Sequence, residues 1–389
     1  MKKNRHRETY LLLFFSVLIF IVTYLSAISP KSVEFDYCAH IMSAEQVLSD
    51  GLGSLLRHNQ YPLWHILVAF TAFISRVKIE YASGIVTGLL NVICYCGVYE
   101  YFRRNNDKNM LCDMMASFGV MIIGPMCSLN HIYWTPNTWH NPTEFAVRPF
   151  AVFAFLIIVE LLDEFKDSKK TNVSQYIILS IMLLLSNLAK PNFAQIIIPG
   201  LGLYLIILLF KNHDLRTLKL FGCMLLSFVP CFLMTIIQFT TQFLLDDGTT
   251  ETIGYAIKWM DYLNYSLGGK IYLIILFIFF PLVVFALEYR SVIRTDIMLA
   301  VCMSVSAFFE MALFEETGGY FYNGDFTWGF ILSEFFLYMV STNMLVSATG
   351  NDRHSKERTV SLSHMVEWGV FAVQLFIGIR YWIIYITAK

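Results

Sequence analysis

Long apolar runs alternate with short polar segments along the whole of this chain. The runs occupy residues 10–29, 82–101, 111–128, 145–162, 176–189, 193–210, 220–243, 271–287, 297–314, 328–347 and 365–387. Each is close to the roughly 20 residues that an α-helix needs to cross a hydrocarbon core of about 30 Å. The pattern therefore predicts eleven transmembrane helices. One further apolar stretch, residues 61–75, is short for a span and reads as an interfacial or re-entrant helix. No soluble domain, low-complexity linker or internal repeat interrupts the series. The expectation is an all-α polytopic membrane protein with one integral membrane domain, residues 1–389.

Charge sets the orientation. If residues 61–75 do not cross, the segments 1–7, 102–110, 163–172, 211–219, 288–294 and 350–358 share one side and hold 18 of the 28 Lys and Arg. The positive-inside rule makes that side cytoplasmic. A crossing at 61–75 would flip every later loop and dilute the asymmetry. The basic start followed by an apolar run has the outline of a signal peptide, but no clean small-residue cleavage site follows, so an uncleaved first helix is expected. The setting implied is the bacterial cytoplasmic membrane, with the N-terminus inside.

Composition agrees. The chain is 57% hydrophobic and 15% charged, with a mean hydropathy of +0.58, too apolar for a soluble domain of 389 residues. A net charge of -1 lacks the basic footprint of a nucleic-acid binder. The eight cysteines fit no metal spacing, and most lie in apolar runs as expected of buried thiols.

The layout sorts the chemistry. The outer segments 30–60, 129–144, 245–269 and 315–327 are poor in Lys and Arg and rich in His, Asn, Asp, Glu, Trp and Tyr. In the first, Asp36 and His40 are four residues apart and share a helix face; His58 and His65 follow. The second holds His131, Tyr133, Trp134, Asn137, Trp139, His140, Asn141 and Glu144 on a loop stiffened by Pro136 and Pro142. Aromatic faces beside amides and carboxylates suit a sugar, whose C–H faces stack and whose hydroxyls need polar partners. An interfacial aromatic belt is the simpler account of the rings alone.

Two cations need a reason. Arg148 lies a turn inside a span, where it either pairs with Glu144 or grips a phosphate. Lys190, before Pro191 at an outer turn, opposes the charge bias; it either snorkels to lipid headgroups or binds phosphate. In the third outer segment, residues 252–263 read as an amphipathic helix lying on the membrane. Asp246, Asp247 and Asp261 there are the candidates for a divalent cation, the one cofactor this chain suggests, but their spacing defines no site and a solvated loop is preferred. In the fourth, Glu315, Glu316, Tyr320, Asn323 and Asp325 surround three glycines that permit close backbone approach to a ligand.

Residues 35–65, FDYCAHIMSAEQVLSDGLGSLLRHNQYPLWH, carry a resemblance. A span, an acidic residue opening a polar helix, a Gly-containing turn and Tyr-Pro-Leu before a second apolar segment occur in that order. The first half of the chain thereby resembles the GT-C superfamily of polytopic glycosyltransferases. The resemblance implies a catalytic module over residues 1–210, with residues 211–389 as C-terminal transmembrane helices. It implies a polyprenyl-phosphate sugar donor, and a glycan, lipid or protein acceptor at the outer face. It makes Asp36 the catalytic base, or its neighbour, with His40 orienting it. Substrate contacts would come from His65, His131, Trp134, Asn137, His140, Asn141, Glu144, Tyr320, Asn323 and Asp325, and the donor phosphate would meet Arg148 and Lys190. Many family members carry Asp-Glu or Asp-X-Asp where this chain has Asp36-Tyr37. Two other classes fit the pattern: a polysaccharide polymerase or ligase using lipid-linked glycans, and a flippase or transporter of them.

Overall fold

The computed structural model describes residues 2–29, 36–51, 61–106, 110–129, 135, 141–169, 171–244, 255–291, 293–316, 325–352 and 362–387. In chain order the helices are α1 (Lys2–Ala27), α2 (Asp36–Asp50), α3 (Pro62–Ser75), α4 (Ile79–Asn105), α5 (Met110–Ile122), α6 (Pro142–Lys166), α7 (Val173–Ala189), α8 (Asn192–Asn212), α9 (Leu215–Leu244), α10 (Asp261–Ser266), α11 (Tyr272–Phe277), α12 (Phe279–Leu287), α13 (Thr295–Leu313), α14 (Asp325–Asp352) and α15 (Leu362–Thr387). Strands β1 (Tyr255–Ile257) and β2 (Phe314–Glu316) pair antiparallel, with Tyr255 opposite Glu316.

The protein is an all-α polytopic membrane protein. Among the described residues, eight helices are long and apolar enough to cross a membrane: α1, α4, α6, α8, α9, α13, α14 and α15. Three of the eleven apolar runs fall on shorter pieces. α5 stops at Ile122, before a non-helical stretch and a 3-10 turn at Met126–Leu129; α7 has 17 residues; the run at 271–287 is split between α11 and α12. The break at Ile278 removes one turn's ladder, and α12 packs on α14 and α15. A broken helix at membrane depth is tolerated when protein covers it. α3, with 14 residues, is the short helix that the sequence suggested.

α14 is the central helix, buried along its apolar length. Because its neighbours are protein, it carries polar groups that lipid would punish. Ser333 and Thr342 donate to the Phe330 and Tyr338 carbonyls at 2.7 Å, within the helix's own turns. Close helix approach relies on small residues: a Cβ at Gly378 of α15 would collide with the Ile122 carbonyl oxygen, and one at Gly200 of α8 would lie 2.7 Å from the Met303 Cα.

Polar contacts gather the basic helix ends on one face. Tyr99 donates to Glu8 at 2.9 Å, Tyr101 to Asp296 at 2.5 Å, and Asn106 to Asn343 at 2.8 Å. Arg104 pairs with Glu160 at 2.9 Å, Arg216 donates to Ser168 at 2.8 Å, and Arg294 pairs with Asp296 at 2.6 Å. These residues belong to or border the segments that the charge count grouped together. The starts of α2, α6, α8 and α14 lie at the other end.

One local expectation is corrected. The described part of 252–263, from Tyr255 on, is not one amphipathic surface helix. The described part is strand β1 followed by α10, and Lys258 pairs with the buried Glu315 at 2.5 Å. Tyr255 and Ile257 favour extended backbone, and pairing with β2 satisfies their main chain. That pairing outweighs the helical spacing of the side chains.

Candidate functional site

The polar face is built on α2 and α3, which pack on the start of α4. Tyr37 is fully buried and meets Trp64 edge-on, with ring centroids 5.7 Å apart. The Tyr37 hydroxyl lies 3.0 Å from Thr87 Oγ1, and Trp64 Nε1 donates to the same oxygen at 3.1 Å. This anchor fixes the two residues that flank Tyr37 on the helix surface, Asp36 and, one turn on, His40.

From His40 the hydrogen bonds run inward. His40 Nδ1 lies 3.0 Å from His65 Nε2, and His65 Nδ1 lies 2.9 Å from the Tyr61 carbonyl oxygen. A carbonyl only accepts, so His65 Nδ1 carries the hydrogen. Burial, aided by the neighbouring His40 imidazole, pushes the His65 pKa down to about 3. His65 is therefore neutral, its Nε2 accepts, and His40 Nδ1 donates to it. The remaining His40 nitrogen, Nε2, faces Asp36 Oδ2 at 3.6 Å. One end of the chain is the Tyr61 carbonyl and the other is Asp36, whose side chain is 51% exposed and reachable by a substrate.

α6 brings the second half of the site. Asn141 is its N-cap and Pro142 its first residue, a pairing that suits a helix start. Asn141 Oδ1 accepts from Thr143 N at 3.2 Å and from Thr143 Oγ1 at 2.6 Å. Its amide is thereby oriented, and Nδ2 donates to Asp36 Oδ2 at 3.0 Å. Asp36 Oδ2 thus faces both Asn141 and His40.

One turn into α6, the buried Glu144 pairs with Lys190 at 2.9 Å and accepts from Asn192 Nδ2. Lys190 is the C-cap of α7. Pro191 forces it into extended backbone, with φ -171° and ψ 140°, and so ends the helix there. Its ammonium sits 4.4 Å from the centre of the Trp328 ring. Glu144 is thus held from the α7–α8 turn, beyond its own helix. Arg148 is buried between the rings of Phe145 and Phe335, at 5.0 and 5.3 Å. A guanidinium over aromatic faces is held by cation–π attraction.

The structure thus brings together Asp36, His40, His65 and Asn141, with Glu144 and Lys190 joined to them through the first turn of α6. Arg148 lies a turn deeper. His131, Trp134, Asn137, His140, Tyr320 and Asn323 lie outside the described residues, as does the side chain of Asp325, which begins α14. Asp246 and Asp247 lie outside them too, whereas Asp261 begins α10, with Lys258 3.5 Å away. The sequence reading missed Thr87, Asn192 and Trp328. A buried Thr inside a span and an Asn straight after Lys-Pro were the signals available for the first two.

The His65 environment gives a pH prediction. Below about 6.5 the unfolded chain binds a proton at His65 that the folded chain refuses until about pH 3. Stability present above 6.5 is therefore lost as pH falls, by about 1.4 kcal/mol per pH unit from this group. Melting temperature measured against pH should fall less steeply for His65→Gln than for the wild type. Equal slopes would mean that folded His65 is protonated.

A scan against protein-family models and a search of curated proteins both returned no match to this sequence.

Proposed function

We propose that this protein is a GT-C-type glycosyltransferase that moves a sugar from a polyprenyl-phosphate donor to an acceptor at the outer membrane face. The observation that carries the reading is the Asn141–Asp36–His40–His65 chain on the face away from the basic helix ends. The sequence resemblance over the first half of the chain supports it independently. An apolar cavity of about 430 Å³ between α8 and α9, lined by Leu201, Leu205, Met224 and Phe228 among others, is suited to an isoprenoid chain.

The chemistry follows from the geometry. An acceptor hydroxyl is a poor nucleophile until a carboxylate takes its proton. Asp36 Oδ1 takes it as the acceptor oxygen bonds to the anomeric carbon. The bond from that carbon to the phosphate oxygen breaks, and polyprenyl phosphate leaves with the electron pair. A single displacement inverts the anomeric centre. Asp36 then passes its proton to His40 Nε2, the one His40 nitrogen not committed to His65. The leaving phosphate needs charge stabilisation more than protonation, and Arg148 is assigned to it. Lys190 already carries Glu144, so it would serve the phosphate only as a shared cation. In this topology α5, α7 and the α11–α12 pair also cross, giving eleven spans with a cytoplasmic N-terminus in a bacterial inner membrane. Any divalent cation at Asp246, Asp247 and Asp261 would be additional to these steps.

The donor assignment is tested by binding. Arg148→Gln, purified in nanodiscs, should lose at least tenfold in affinity for a polyprenyl-phosphate sugar, and Arg148→Lys, which keeps charge but not the fork, should lose less. Unchanged affinity in both would reduce Arg148 to a packing residue.

One observation favours a second reading. Ser304 donates to Glu334 at 2.7 Å between α13 and α14, with both side chains buried, Ser304 halfway along α13 and Glu334 about a third of the way along α14. Intramembrane carboxylates mark transport pathways, so a flippase or transporter of lipid-linked glycans is the alternative.

A further inference from the structure

At the basic face, far along the helices from Asp36, a second cluster has no part in the transfer chemistry. His364 and Glu367 lie three residues apart in the first turns of α15 and so share a helix face. Glu288, the C-cap of α12, meets them: its Oε1 is 3.1 Å from His364 Nε2. One ligand atom from each of Glu288, His364 and Glu367 can be chosen so that all three lie within 4.8 Å of one another.

Glu367 is the anomaly. Its side chain is 0% exposed, and among the described residues neither carboxylate oxygen has a hydrogen-bond partner. Burying a carboxylate without partners is costly, and two carboxylates side by side repel. A dication removes both penalties. Its charge then balances the two carboxylates, and an orphaned Glu367 oxygen gains a ligand bond.

We propose that Glu288, His364 and Glu367 form a binding site for a first-row divalent metal ion, of the Zn²⁺ class, that clamps α15 to α12. The donor set decides the class. One imidazole with two carboxylates suits Zn²⁺ and its neighbours, whereas Mg²⁺ and Ca²⁺ prefer oxygen alone. Ligands at about 2.1 Å around a tetrahedral ion stand about 3.4 Å apart, so the three groups need to close by little more than 1 Å. Side-chain rotation supplies that. His364 and Glu367 sit on the first two turns of a 26-residue helix, longer than the roughly 20 residues a span requires, and Glu288 follows the end of α12, so the site can lie at the membrane surface within reach of aqueous metal.

The test uses the full chain in nanodiscs, stripped with EDTA and titrated with Zn²⁺. The wild type should retain one Zn²⁺ per chain by elemental analysis and melt higher in its presence, because an ion that binds only the folded state stabilises it. Glu367→Gln and His364→Gln should each weaken Zn²⁺ binding at least tenfold and abolish the melting shift. No retained metal in the wild type, or equal binding and shift in the variants, would overturn the site. If the variants do not fold, Co²⁺ bound to the wild type decides: visible ligand-field bands without thiolate charge transfer support this donor set. Thiolate bands would assign the metal to the cysteines and remove the proposal.

Discussion

Asp36→Asn is expected to lower sugar transfer by about 10²–10⁴-fold, the usual cost of removing a general base, while expression and donor affinity stay near wild type. Asparagine keeps the shape of the side chain and can still accept from Asn141 Nδ2, which is 3.0 Å from Asp36 Oδ2. It cannot take a proton from an acceptor hydroxyl. If Asp36 were only a helix-start residue, asparagine would be nearly neutral, since both residues serve equally there. Initial rates at saturating donor separate these cases. Asn141→Asp is the companion variant. It still caps α6, but places a second carboxylate against Asp36, which raises the Asp36 pKa. The acid limb of the rate profile should then move to higher pH with little change in melting temperature.

The second large effect is on stability. Lys190→Met leaves Glu144 buried at 1% exposure without its cation. Breaking a buried pair from one side costs roughly 3–5 kcal/mol, whereas replacing both partners with apolar residues is often near neutral. Lys190→Met should therefore melt well below the wild type, and the Lys190→Met, Glu144→Leu double variant should recover most of the loss. Thermal unfolding in one detergent across the four proteins reads this as a coupling. Additive losses would mean that the two residues act separately, and would return Lys190 to the donor site as a free cation.

Local spacing made part of this site legible in the sequence. Asp36 and His40 are one helical turn apart, and Asn141-Pro142 has the form of a capped helix start; both hold in three dimensions. Contacts set by helix packing were not legible. His65 meets His40 because α3 lies against α2, which no period in the chain encodes. The same is true of Glu144. Its neighbour at i+4 is Arg148, yet tertiary packing delivers Lys190 from the end of α7, where Pro191 stops the helix. The eight long spans followed from apolar length alone. The segments that fragment, at α5 and α11–α12, read as ordinary apolar runs because helix breaks covered by neighbouring helices leave little trace in hydropathy. Within 252–263 the amphipathic spacing was real, but cross-strand pairing with Phe314–Glu316 decided the backbone at Tyr255–Ile257. The pair His364 and Glu367 was visible at i, i+3, but without Glu288 it carried no meaning.

The central claim is transfer rather than transport, and the fate of a labelled sugar decides it. Proteoliposomes holding the full chain, a polyprenyl-phosphate sugar labelled in the sugar ring and a mixture of glycan and lipid acceptors would be sampled over time. The account predicts that label leaves the polyprenyl lipid and appears on an acceptor with inverted configuration. It also predicts that free polyprenyl phosphate is released in equal amount, and that both products fail to form with Asp36→Asn. Label that stays on intact polyprenyl phosphate while changing leaflet, or transfer undiminished in Asp36→Asn, would contradict it.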